Sequence, residues 1–202
     1  MTTRSSPRRP SSRPFTLGDA MILIAATAVA GPIIRLIIAQ SFAPEANEDF
    51  PKLLLGLLGS GRFREFGFVM FILALPVAAA WTLALIPLRL KRPRPPWRHL
   101  ARQPGWVAAC SAVPGLVLLS AGVGVLRGWG RSIFYVDNIE LSLFTLATSL
   151  AGATVLGSWM TLILGRRWRA EPSWLDRLGR ALGVYWLAMG AGAPFLARWA
   201  LG

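Results

Sequence analysis

Five apolar runs, each at least twenty residues long, alternate along the chain with short blocks rich in arginine, proline and tryptophan. A helix rises about 1.5 Å per residue, so runs of this length match the hydrocarbon thickness of a bilayer. They predict an all-α integral membrane helical bundle with about five transmembrane helices, at 17–40, 66–88, 105–126, 141–164 and 181–201. Residues 1–14 hold Ser, Pro and Arg with almost nothing apolar, a composition that cannot offset the entropy of ordering. They read as a disordered basic cytoplasmic tail, which leaves 15–202 as the transmembrane domain.

Two helix starts carry their own signal. Thr16-Leu-Gly-Asp19 and Ser173-Trp-Leu-Asp176 both have capping-box spacing, in which the hydroxyl accepts the N–H three residues on and the carboxylate reaches back. Asp19 near a membrane boundary is also a candidate proton site, but the spacing favours capping. Gly31-Pro32, Pro76, Pro114-Gly115 and Pro194 interrupt four of the five spans and predict bends. The fourth span has no proline. In it Ser149, Ala153 and Gly157 recur every four residues and predict a close-packing seam, toward another helix of this chain or a second copy. The stretch 51–59 is too short to span and too apolar for water, which predicts an interfacial or re-entrant segment.

Charge fixes the orientation. The loop from Arg89 to Pro104 holds six Lys/Arg and no acid, so it is held on the cytoplasmic side. With the N-terminus inside, fifteen of the 22 Lys/Arg fall on cytoplasmic segments and six outside. The remaining one, Arg35, is the one charge inside a predicted span away from its ends, where Asp19 and Arg198 lie. Its shallow position favours snorkelling toward Glu45, Glu48 or Asp49, and the alternative is an intramembrane ion pair. Trp97 and Trp106 suit the inner aromatic belt, and Pro93, Pro95 and Pro96 predict a stiff, extended loop. The fifth span is the weakest: an amphipathic stretch with Arg177 and Arg180 precedes it, and it has the alternative of lying on the surface.

Composition agrees with lipid as the solvent: 54% hydrophobic residues and 15% charged, where a soluble domain carries about a quarter charged. The net charge of +13 sits in blocks between apolar runs, which points to anionic headgroups as partner and away from nucleic acid. A single cysteine, Cys110, excludes an internal disulfide or a Cys-x-x-Cys site, and a single histidine, His99, excludes bis-His haem ligation. No catalytic, cofactor or metal constellation is legible: Ser158 has no histidine in any span, and no acid lies in the middle of one. The segment Arg13-Pro-Phe-Thr-Leu-Gly-Asp-Ala-Met-Ile-Leu-Ile-Ala-Ala-Thr-Ala28 resembles the first helix of bacterial multi-pass inner-membrane proteins of unassigned activity. The likeness covers one helix and implies a location in the inner membrane, with no activity and no functional residue. The sequence therefore leads to a non-enzymatic structural or assembly component without cofactor, with a small transporter or channel subunit as the alternative.

Overall fold

The computed structural model describes residues 15–41, 63–91, 96–128 and 138–201, all helix, turn or connecting backbone with no strand among them. The helices are α1 (Leu17–Ser41), α2 (Phe63–Leu90), the single turn α3 (Trp97–Leu100), α4 (Pro104–Gly128), α5 (Asn138–Leu164) and α6 (Trp174–Leu201). Four are long and apolar enough to cross a membrane, over Leu17–Arg35, Leu73–Leu90, Pro104–Gly122 and Ser142–Leu164. They mark the chain as a membrane protein. Helix α6 is not among these four, since its opening turns carry Asp176, Arg177 and Arg180. The basic tail, the 51–59 segment, the acids at 45, 48 and 49, and residues 129–137 lie outside the described residues.

Glycines set the core, because they let backbones touch. A Cβ on Gly179 would meet the Gly105 carbonyl oxygen at 2.5 Å, and one on Gly152 would meet the Trp186 oxygen at 2.8 Å and the Gly190 Cα at 2.9 Å. On Gly115 it would meet the Ala147 oxygen at 2.6 Å. These approaches join α4, α5 and α6 into one tight unit around Ala108, Ala112, Ala151, Val155, Trp186 and Met189. The sequence of contacts also gives direction. Gly183 lies by Trp159 and Gly190 by Thr148, so α6 runs antiparallel to α5. Gly179 lies by Gly105 and Gly183 by Ala108, so it runs parallel to α4. Helix α2 packs through Leu75, Ala78, Leu85 and Leu88. Helix α1 is peripheral: only 11% of its candidate span is buried, and it is tied to α2 by the Trp81 indole N–H, which donates to Thr27 Oγ1 at 2.9 Å.

Two local expectations need correction. The stretch before Pro104 is not simply extended, because Pro96 precedes the turn α3, where the His99 N–H bonds the Pro96 oxygen at 2.8 Å. Proline at the start of a helical turn has no N–H to lose and a fitting φ. Trp97 is exposed as a belt residue should be, but Trp106 is buried, because it opens α4 where that helix and α6 meet backbone to backbone. Within the chain α5 packs through Ala147, Ala151, Gly152 and Val155, one face round from Ser149, Ala153 and Gly157.

Candidate functional site: a charged clamp at one end of the bundle

The starts of α1, α4 and α6 and the ends of α2 and α5 meet at one end of the molecule. A buried carboxylate there receives bonds from three separate segments. Asp176, in the first turn of α6, is fully buried. Its Oδ1 accepts the Gly105 N–H at 3.0 Å and lies 3.7 Å from the Arg89 guanidinium. Its Oδ2 accepts the Glu171 N–H at 3.2 Å and lies 3.3 Å from Arg180 Nε. Arg89, at the end of α2 and also buried, donates to Glu171 Oε2 at 2.9 Å and to Ser173 Oγ at 3.4 Å. Gln103 closes the group by donating to the same Glu171 oxygen at 2.6 Å.

Local chemistry explains why these groups converge. The first N–H of α4 has no partner within its own helix, and Asp176 supplies one from the neighbouring helix. The glycine at 105 is required for that approach, because a Cβ there would collide with the Asp176 carbonyl oxygen. The linker from α5 is anchored alongside: the Arg169 N–H bonds the Arg102 oxygen at 3.0 Å, and the Trp159 indole N–H donates to the Pro104 oxygen at 3.0 Å. Burial pushes the Asp176 carboxyl above its usual range, and the Gly105 N–H, Arg89, Arg180 and the Glu171 N–H pull it back down.

A second carboxylate sits at the start of α1. Asp19 accepts the Thr16 N–H at 3.1 Å while Thr16 Oγ1 accepts the Asp19 N–H at 3.3 Å, a complete capping box. Lys91, just past α2, stands 3.7 Å from the same carboxylate. At Ser173 the box is only half made. Its Oγ accepts the Asp176 N–H at 3.4 Å, but the Asp176 carboxylate is turned to Gly105 and Glu171.

Deeper in the bundle one polar link crosses the core. The Trp186 indole N–H donates to Thr82 Oγ1 at 3.0 Å, and Thr82 donates to the Ala78 oxygen at 2.6 Å. Nearer the lipid, an open crevice of about 390 Å³ lies between α2 and α4, lined by Leu83, Val113, Leu116, Val117, Ser120 and Ala121. Its one hydroxyl, Ser120 Oγ, donates to the Leu116 oxygen at 2.9 Å. Among the described residues no three His, Cys, Asp or Glu side chains gather as metal ligands.

The residues singled out in the sequence do not come together. Arg35 is exposed on α1, remote in sequence from the clamp, and the acids expected beside it lie outside the described residues. Ser149 Oγ donates to the Gly190 oxygen at 3.3 Å, whereas Ala153 and Gly157 are exposed and Gly157 faces open space. The clamp residues Arg89, Gln103 and Glu171 carried no signal beyond charge, because their partners are 68 to 84 residues away in the chain. No family model, curated protein or solved structure matches the chain.

Proposed function

We propose that the chain is a five-span protein of the bacterial inner membrane, with its basic end in the cytoplasm, and that it serves as a non-enzymatic structural or assembly component. The observation that carries this reading is the commitment of the buried charges to one another. Both Asp176 oxygens are occupied by N–H donors and guanidinia, so the carboxylate acts as a strut between helix ends with no open position for a substrate. The outward surfaces are apolar, with Met21, Ile24, Val117, Leu156 and Val184 about half exposed or more. That is how helices facing lipid or another membrane protein are built.

Helix α6 counts as the fifth crossing because it follows α5 from Trp159 back to Thr148, alongside two helices long enough to span. A helix lying flat on the surface would touch them at one end only. A reporter fused after Gly202 should therefore be active on the outer side, and activity on the cytoplasmic side would remove the fifth span.

The transporter alternative requires a wetted path near mid-depth. The crevice between α2 and α4 has only Ser120 as a polar group, and that hydroxyl is already bonded, so water there finds few partners. A cysteine placed at Val117 should resist a membrane-impermeant thiol reagent in sealed vesicles. Rapid labelling there, together with solute flux in proteoliposomes, would favour transport over assembly.

A further inference from the structure

The clamp has a consequence for the surface around it. The acids of this end are turned inward, Asp19 onto Thr16 and Lys91, and Glu171 and Asp176 onto Arg89, Gln103, Arg180 and the Gly105 N–H. Arg98, Arg102, Arg166, Arg167, Arg169 and Arg177 are all exposed, and among the described residues none of them forms a salt bridge. The backbone bond from Arg169 to Arg102 straps the two basic loops together, so the cations form one rim.

Arg166 adds an independent observation. Helix α5 ends in a Schellman arrangement, with the Arg167 N–H on the Leu162 oxygen at 2.8 Å and the Arg166 N–H on the Ile163 oxygen at 3.0 Å. This places Arg166 at φ 51, a left-handed position where glycine is favoured, although Gly165 stands one residue earlier. The backbone gains nothing from an arginine there, where glycine would be the easier residue.

We propose that this rim binds the phosphate headgroups of anionic phospholipids, the lipid being recognised by the strapped arginines around Arg102, Arg166 and Arg169. Exposed Trp97 stands in the same loop, as an interfacial aromatic should. The site rests on the reading of the chain as a membrane protein with this end at the headgroup level. Guanidinium groups pair with phosphate oxygens in a bidentate fashion, and each cation near an anionic surface favours binding by about fivefold.

The test uses the full chain in mild detergent, with phosphatidylglycerol, phosphatidylcholine or inorganic phosphate added, and follows thermal unfolding and lipid retained in native mass spectrometry. Phosphatidylglycerol should raise the Tm by several degrees more than phosphatidylcholine, and the excess should shrink with salt. Arg166→Gly is the discriminating variant. It should raise the Tm in detergent alone, by relieving the left-handed arginine, yet weaken phosphatidylglycerol retention about fivefold. Arg102→Gln with Arg169→Gln should remove most of the excess. Equal shifts with the two lipids, an unchanged excess in these variants, or full reproduction by inorganic phosphate would overturn the proposal. Alkaline extraction of membranes tests the underlying reading separately: a protein that stays in the membrane but is indifferent to headgroup charge overturns the lipid site alone.

Discussion

Thr16-x-x-Asp19 and Ser173-x-x-Asp176 are the same motif at two helix starts of one molecule, and the fold uses them differently. At α1 the carboxylate closes on its own turn and stands beside Lys91, whose side chain is 47% exposed. At α6 it leaves its own turn, bonds the first N–H of α4 and the N–H of the incoming linker, and meets Arg89, whose side chain is 6% exposed. The difference lies in what packs against each helix start. Helix α1 has a largely uncovered span, 11% buried, so its cap stays local. Helix α6 begins where α2, α4 and the α5–α6 linker crowd together, and orphan donors there outcompete the local one. A capping box thus predicts where a helix begins, while its surroundings decide whether its acid remains a cap or becomes a cross-brace.

The largest expected effect comes from removing that brace. Asp176→Ala leaves Arg89 buried with one fewer counter-charge and the Gly105 N–H without a partner. It should destabilise the bundle by about 3–5 kcal/mol. Asp19→Ala removes a local cap and should cost about 1 kcal/mol. Thermal unfolding of both variants in the same detergent measures the ratio. Equal losses would mean that the two acids do the same job.

Steric effects come next. Gly179→Val places atoms on the Gly105 carbonyl, which cannot yield without parting α4 from α6, and about 1–3 kcal/mol should be lost. Gly157→Val meets nothing within 4 Å and should be neutral in the isolated chain. A large loss at Gly157 in membranes but not in dilute detergent would identify the Ser149–Ala153–Gly157 face as a contact with a second copy.

The pH dependence sharpens the contrast from another side. Because burial raises the Asp176 pKa above 3.8, the folded protein holds that proton more firmly than the unfolded chain. Its contribution therefore favours the fold at low pH, declines as pH climbs through the carboxylate range above 3.8, and is level beyond the raised value. Asp176→Asn should flatten that decline, and Asp19→Asn should leave it in place. An unchanged decline in Asp176→Asn would assign it to another acid.

How much of this was legible differs by level. The five long helices follow from apolar runs, and their starts at Thr16 and Ser173 from capping chemistry, since both depend on residues close in sequence. The position of the clamp was not legible. Arg89 counts in the sequence as one more orienting cation, and Glu171 as a loop acid balancing arginines. Only packing brings them to 2.9 Å. Which face of α5 packs within the chain was not legible for a related reason: Ala147-x-x-x-Ala151-x-x-x-Val155 and Ser149-x-x-x-Ala153-x-x-x-Gly157 share the four-residue period. A period cannot choose between two faces of an apolar helix. That choice was made by Gly183 and Gly190 on α6, which a reading of α5 alone does not include.

The smallest effect tests the comparison from the basic side. Lys91 and Arg89 are two residues apart, and each stands 3.7 Å from a fully buried aspartate. Distance alone would make them equivalent. Burial separates them: water screens the half-exposed lysine and competes for its partner, so Lys91→Gln should change stability by about 0–1 kcal/mol, less still as salt is raised. Asp19 keeps its two capping bonds without the lysine, so nothing there is orphaned. Arg89→Gln, in contrast, strips the charge from a group that bridges Glu171, Ser173 and Asp176, and its effect should approach that of Asp176→Ala. Parallel melting curves of the two glutamine variants at low and high salt decide the matter. If Lys91→Gln falls as far as Arg89→Gln, solvent exposure is not what divides the two ends of this helix pair.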